Sequence, residues 1–226
     1  MIRLVLFDID GTLIHTSGAG EKAFARVFAN FFGVSDGTEK LKFAGRTDVG
    51  ILREFFVHNA IAPSPENMEQ FFEAYVFMLE HMLQTMPGGV HPGVSKWLHD
   101  LRALPQKPIV GLLTGNIRLG AEIKLRRFEL WGQFETGAFA DDAADRNEIA
   151  AIAKGRGEAL LGSKLRGDEV LVIGDTPLDI ACARYIGARV IAVGTGMYRP
   201  KDLLPLKPDW AVENLEQISA RESCMS

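Results

Sequence analysis

Four short apolar runs, Ile2 to Phe7, Ile109 to Leu113, Val170 to Ile173 and Val190 to Val193, are almost unbroken by polar residues. Runs rich in Val, Ile and Leu without strict alternation predict strands covered on both faces, as in a parallel sheet. Between and around them, Val94 to Leu104, Ile117 to Leu130, Asn147 to Leu161 and Pro177 to Ile186 read as helices. The repeated strand-then-helix order predicts an α/β fold with a doubly wound, Rossmann-like parallel sheet.

One stretch departs from that order. From about Gly18 to Met86 the period is helical throughout: Phe24, Val27, Phe28 and Phe31; then Ile51, Leu52, Phe55 and Phe56; then Met68, Phe71, Phe72, Tyr75, Met78, Leu79 and Met82. Pro63-Ser64-Pro65 separates two of these helices, and connectors fall near Leu13 to Ser17 and Met86 to His91. The pattern predicts a helical domain over residues 16–87 inserted into an α/β core built from residues 1–15 and 88–226. Its Phe and Met stripes are read as packing, not as a ligand pocket. The last stretch, Ala220 to Ser226, is expected to fray.

Composition narrows the class. The chain has 226 residues, 47% hydrophobic and 24% charged, with a formal net charge of -4. That balance, without a dense Lys/Arg run, gives no sign of a nucleic-acid partner. Charge or glycine breaks every long apolar stretch, so no membrane span is expected, and MIRLVLFDID reaches aspartate too early for a secretory signal. Only Cys182 and Cys224 are present, far apart, which suits a reducing, cytoplasmic location.

Chemistry concentrates at strand ends. Asp8 and Asp10 lie two positions apart where the first strand meets Gly11, a spacing that sends both side chains to one side of an extended chain. Asp10-Gly11 could simply form a solvated turn; alternatively, two crowded carboxylates call for a cation or a shared proton. The second strand ends in Thr114-Gly115-Asn116, which offers hydrogen-bond donors to an anion such as phosphate, or else an ordinary helix start. Val172 to Asp179 repeats the theme: a strand ends at Asp175, Thr176 caps a helix, Pro177 opens it, and Asp179 follows one turn on. Ligands of open parallel sheets bind at the carboxyl ends of the strands, where Asp8, Asp10, Thr114 and Asp175 all fall. Carboxylates with hydroxyl and amide donors suit a hard cation, Mg²⁺ before Ca²⁺, since no calcium-loop pattern is present. Arg146, at the start of the helix reaching Leu161, is the candidate for a phosphate-binding cation, with Lys154 its competitor. Arg146 could also pair with Asp142 or Asp145 at the surface. The histidines show no metal-ligand spacing.

Asp8-Ile9-Asp10-Gly11-Thr12, Thr114-Gly115-Asn116, the Arg146 region, and Gly174-Asp175 with Asp179 stand in the order of the haloacid dehalogenase-like hydrolase superfamily. The chain resembles its phosphoglycolate-phosphatase-like branch, which carries a helical cap after the first strand. The resemblance implies a Mg²⁺-dependent phosphatase of a small phosphorylated metabolite, acting through an aspartyl-phosphate. By resemblance, Asp8 is the nucleophile and Asp10 the acid and base. Asp8, Asp175 and the Asp10 carbonyl hold the metal, and Thr114, Gly115, Asn116 and Arg146 bind phosphate. Asp179 orients groups around the metal. The family generally has lysine where Arg146 stands. Asp10 argues against dehalogenation, because a halide leaves without a proton. In the cap, Arg46 within Phe43 to Asp48 is the candidate substrate contact. A sugar phosphomutase of the same superfamily, or a non-catalytic binding protein, is the competing reading; oligomeric state is left open.

Overall fold

The computed structural model describes residues 1–35, 38 and 41–225. Among them eight strands form, in chain order β1 (Leu4–Phe7), β2 (Ile14–His15), β3 (Gly89–Val90), β4 (Ile109–Leu113), β5 (Thr136–Ala138), β6 (Val170–Gly174), β7 (Arg189–Val193) and β8 (Trp210–Val212). Six of them make one parallel sheet in the order β5-β4-β1-β6-β7-β8, with the N-terminal strand in the middle. The helices are α1 (Ala19–Phe32), α2 (Asp48–His58), α3 (Pro65–Thr85), α4 (Val94–Ala103), α5 (Arg118–Arg127), α6 (Arg146–Leu161), α7 (Pro177–Tyr185), α8 (Pro200–Leu203) and α9 (Ala220–Met225).

Alternation along the central strands explains the three layers. Val5, Phe7, Val110, Leu112, Leu171 and Ile173 face Val94, Trp97, Leu98 and Leu101 of α4, Leu125 of α5 and Cys224 of α9. The intervening residues Leu4, Leu6, Leu113, Val170 and Val172 face Ile149 and Ala153 of α6 and Ile180 and Ala183 of α7. Both faces are therefore apolar, and each fully buried large side chain contributes about 1.5–3 kcal/mol to the core. Trp97 also satisfies its indole N–H, donating to the Ile218 carbonyl at 2.7 Å.

Between β2 and β3, helices α1, α2 and α3 pack on one another through Phe24, Phe28, Phe55, Phe56, Phe71 and Tyr75. The aromatic stripe is thus core, although Phe31 stands exposed and Phe24 and Tyr75 also line a cavity. Thr47 and Ser64 cap α2 and α3 by accepting from the Gly50 and Asn67 amides, and Pro65 occupies the first turn of α3. Ile117 and Ala140, from loops beyond β4 and β5, join this helical cluster, so the helices sit on the edge of the sheet where the strands end.

The C-terminal stretch is not frayed up to Met225. It forms α9, buries Ala220 and Cys224, and accepts a hydrogen bond from Ile2 N at the Cys224 carbonyl, 2.8 Å; Ser226 lies outside the described residues. No helix among the described residues is long and apolar enough to cross a membrane.

Candidate active site

The sheet register brings the strand-end residues together. Phe7 pairs with Leu112 on one side and Ile173 on the other, so Asp8 leaves the sheet beside the points where Thr114 and Asp175 emerge. Asp8 N donates to the Ile173 carbonyl at 2.9 Å, prolonging the ladder by one step. Gly11 then turns the chain with φ 83°; a side chain there would overlap the Asp175 carboxylate. Thr12 donates to Asp175 Oδ1 at 3.0 Å and fixes that carboxylate from the other side.

Asp8, Asp175 and Asp179 are all buried, and one carboxylate oxygen of each lies within 4.8 Å of those of the other two. Arg146, the first residue of α6, reaches across to this group: its Nη2 is 3.0 Å from Asp8 Oδ1 and 2.5 Å from Asp179 Oδ1. Asp179 also receives the Thr176 amide at 3.0 Å and the Thr176 hydroxyl at 2.7 Å, so its position is set by the start of α7. Burial pushes Asp8 up to about 6 against the pull of Arg146. Burial, then the charges of Asp179 and Asp8, raises Asp175 well above the usual carboxylate range. Burial opposes the Arg146 charge, yet Asp179 and Asp8 outweigh it and hold Arg146 firmly protonated. When ionised, three carboxylates facing one guanidinium carry two uncompensated negative charges, a donor set that fits one divalent, oxygen-seeking cation.

Asp10 belongs to a second, adjoining group. Its carboxylate accepts from Lys124 Nζ at 2.6 Å and from Asn116 Nδ2 at 2.8 Å. Asn116 Nδ2 also donates to Thr114 Oγ1 at 2.8 Å, and Lys124 to Asn116 Oδ1 at 2.6 Å. The strand-end hydroxyl, the amide and the carboxylate are therefore one bonded network. Lys124, on α5 and only 4% exposed, is its cation. Tyr75 and Gly20 of the helical layer close over the Lys124 amine.

Lys124 escaped the sequence reading because, next to Arg126 and Arg127, it looks like part of a solvated helix face. The available signal was its spacing: Gly120, Ala121, Lys124 and Leu125 share one buried side of α5. Lys154, the competitor for Arg146, instead points its amine toward the Ile186 carbonyl at 3.5 Å, on a different face of the molecule. Asp142 pairs with Arg156 and Asp145 caps α6, so Arg146 is not consumed by a surface pair with either.

Above these groups lies a cavity of about 360 Å³. Its floor includes Asp8, Asp10, Thr114, Asn116, Arg146 and Asp175, and its roof includes Phe24, Phe43, Ile51 and Tyr75. Arg46 lines it too, with its guanidinium paired to Glu54 of α2. His15 and His91 stand on its hinge side with rings 5.5 Å apart. The roof is bonded to the floor: Thr47 Oγ1 donates to the Ala144 carbonyl at 2.9 Å, and Arg146 Nη1 to the Gly45 carbonyl at 3.1 Å.

Comparison with known proteins agrees with this architecture. The phosphatase IndB of Dickeya dadantii, a provisional name, is 25% identical over 224 residues, covering 96% of this chain and 92% of that protein. PpaX of Caldanaerobacter subterraneus subsp. tengcongensis, provisionally named a pyrophosphatase, is 25% identical over 222 residues, covering 96% and 93%. The crystal structure of a predicted phosphoglycolate phosphatase from Haemophilus somnus 129pt superposes with a TM-score of 0.72 at 18% identity, covering 95% of each chain. The family model for haloacid dehalogenase-like hydrolases matches residues 5–193, from the first strand of the sheet through β7. The chain is a member of the haloacid dehalogenase-like hydrolase family.

Proposed function

We propose that this hydrolase is a Mg²⁺-dependent phosphatase that removes phosphate from a small phosphomonoester by way of an aspartyl-phosphate on Asp8. The observation that carries the reading is the meeting of Asp8 with Arg146 and Asp175 on the floor of one cavity, with Asp179 buried against them. Asp8 attacks phosphorus, and the bond to the leaving oxygen breaks as the Asp8–phosphorus bond forms. Asp10 delivers a proton to that oxygen and then takes one from the water that attacks the acyl phosphate. Thr114, Gly115 and Asn116 cradle the phosphate oxygens, and Arg146 lends them a fixed positive charge.

Asp8 and Asp175, with the Asp10 carbonyl, would hold Mg²⁺, and Asp179 would orient groups around it. A bound Mg²⁺ supplies charge neutralisation between nucleophile and phosphate. The apolar roof of Phe24, Phe43, Ile51 and Tyr75 favours a leaving group with carbon surface over a second inorganic phosphate. Arg46, released from Glu54, is the candidate contact to an anionic part of that group.

Phosphate release from para-nitrophenyl phosphate and a panel of phosphorylated metabolites, with Mg²⁺ and with EDTA, tests the reading. Release in Mg²⁺ that EDTA abolishes is expected. No release from any phosphomonoester, or sugar-phosphate interconversion without release, would overturn it.

A further inference from the structure

The first residue of α2, Asp48, is 8% exposed although its side chain is a carboxylate at a helix start, where solvation is the ordinary state. It does not serve its own helix: Thr47 caps α2. Asp48 N donates to the Gly115 carbonyl at 2.7 Å, and Asp48 Oδ2 accepts from Ile117 N at 2.9 Å. One residue of the helical layer thus clasps both ends of the Gly115–Ile117 segment; Ile117, the residue before α5, has no capping side chain of its own, and Asp141 accepts from the next amide, Arg118 N.

The fit around the clasp is close. Any side chain at Gly115 would overlap the Arg46 carbonyl, so this glycine lets the loop 45–48 lie directly on the strand-end loop. The Thr47 bond to Ala144 and the Arg146 bond to Gly45 tie the same loop to the start of α6. Gly45 rests against Thr176 at the start of α7.

We infer that Asp48 is a positioning residue: by clasping Gly115 and Ile117 it fixes the loop that cradles phosphate, so that the cradle is in register with Asp8 only when the helical layer is seated. The role rests on the phosphatase reading above. The carboxylate holds the Ile117 amide and so fixes the plane of the Asn116–Ile117 peptide, while the Asp48 main chain holds the Gly115 carbonyl; between them they set the Asn116 side chain that bonds Thr114 and Asp10. A small misplacement of such a cradle affects the reacting complex more than it affects initial binding.

Three variants and two readouts test this. In steady-state assays with Mg²⁺ and para-nitrophenyl phosphate, Asp48→Ala is expected to lower kcat about 10- to 100-fold while KM moves less than about three-fold. Asp48→Asn keeps an acceptor oxygen and is expected to stay within about five-fold of wild-type kcat. Asp48→Glu keeps the charge and a helix-start acid but displaces the oxygens by a methylene, and is expected to behave like Asp48→Ala. Amide exchange over residues 115–117, which needs no catalysis, is expected to quicken in the Ala and Glu variants and not in Asn. Wild-type kcat in Asp48→Ala or Asp48→Glu, or unchanged exchange at 115–117 in both, overturns the role of Asp48. A wild-type protein that releases no phosphate overturns the phosphatase reading itself, and its amide exchange still reports whether the clasp exists.

Discussion

Lys124 donates to the Asp10 carboxylate at 2.6 Å and lies almost wholly out of solvent, so the proposed acid and base is held by a buried ammonium from the neighbouring helix. The same amine holds Asn116, which itself donates to Asp10, so the two donors of this carboxylate are fixed to each other. Lys124→Met removes the charge and most of the positioning while keeping the stem. It is expected to lower kcat about 10- to 100-fold, and Lys124→Arg to recover only part, because a planar fork does not replace a compact ammonium between two acceptors. Steady-state kinetics on the three proteins checks both directions.

Asp48 makes the stability of the fold depend on pH. Burial raises its carboxyl to about 7, with Lys124 and the Ile117 amide pulling the other way and Asp10 and Asp141 pushing it further up. The folded pKa lies above the unfolded one, so between about pH 4 and pH 7 the folded state binds more protons and stability falls as pH rises. Asp48→Asn removes that dependence. Its stability relative to wild type is expected to increase from pH 4.5 to pH 8 by a few kcal/mol at most, about 4 as an upper bound. Urea unfolding at the two pH values reads this; a difference that stays constant with pH would contradict it.

Close packing on Asp175 predicts a separable defect. A side chain at Gly196 would overlap the Asp175 carboxylate, which Thr12 holds from the other direction. Gly196→Ala is expected to displace Asp175 and weaken Mg²⁺ binding about tenfold or more, with the far-UV spectrum unchanged. Titration calorimetry with Mg²⁺ alone measures the effect without substrate.

Trp97 anchors the layer beneath β1, with its ring edge-on to Phe7 at 6.3 Å and its N–H satisfied by Ile218. Trp97→Ala is expected to cost about 3–5 kcal/mol in chemical denaturation, since it opens a large cavity and removes the donor to the Ile218 carbonyl. A loss below about 1 kcal/mol would show that α4 does not support the sheet as described.

Much of this was legible in the sequence, and the exceptions have physical reasons. Strands β1, β4, β6 and β7 announce themselves because both faces are buried, which removes polar residues from the run. The edge strands Thr136–Ala138 and Trp210–Val212 span three residues, and the hinge pair β2 and β3 two residues each, too short for any period to show. The strand-end residues could be read because a parallel sheet gathers its carboxyl ends whatever the loops do. Lys124 could not, since its partners Asp10 and Asn116 are 114 and 8 positions away and nothing local marks a lysine as buried. Asp48 was in view within Phe43 to Asp48, but a carboxylate at a helix start has an ordinary explanation, and only tertiary contact shows that it serves another helix.

The most direct measurement of the central claim is a search for the covalent intermediate on Asp8. The enzyme is mixed with a substrate and Mg²⁺, quenched in acid, reduced with borohydride and mapped by peptide mass spectrometry. An acyl phosphate is reduced to an alcohol, so the expected result is conversion of position 8 to homoserine, absent with EDTA and absent in Asp8→Asn, which should also be inactive. Reduction at another carboxylate, or an Asp8→Asn variant that still releases phosphate at the wild-type rate, would contradict the assignment of Asp8 as nucleophile.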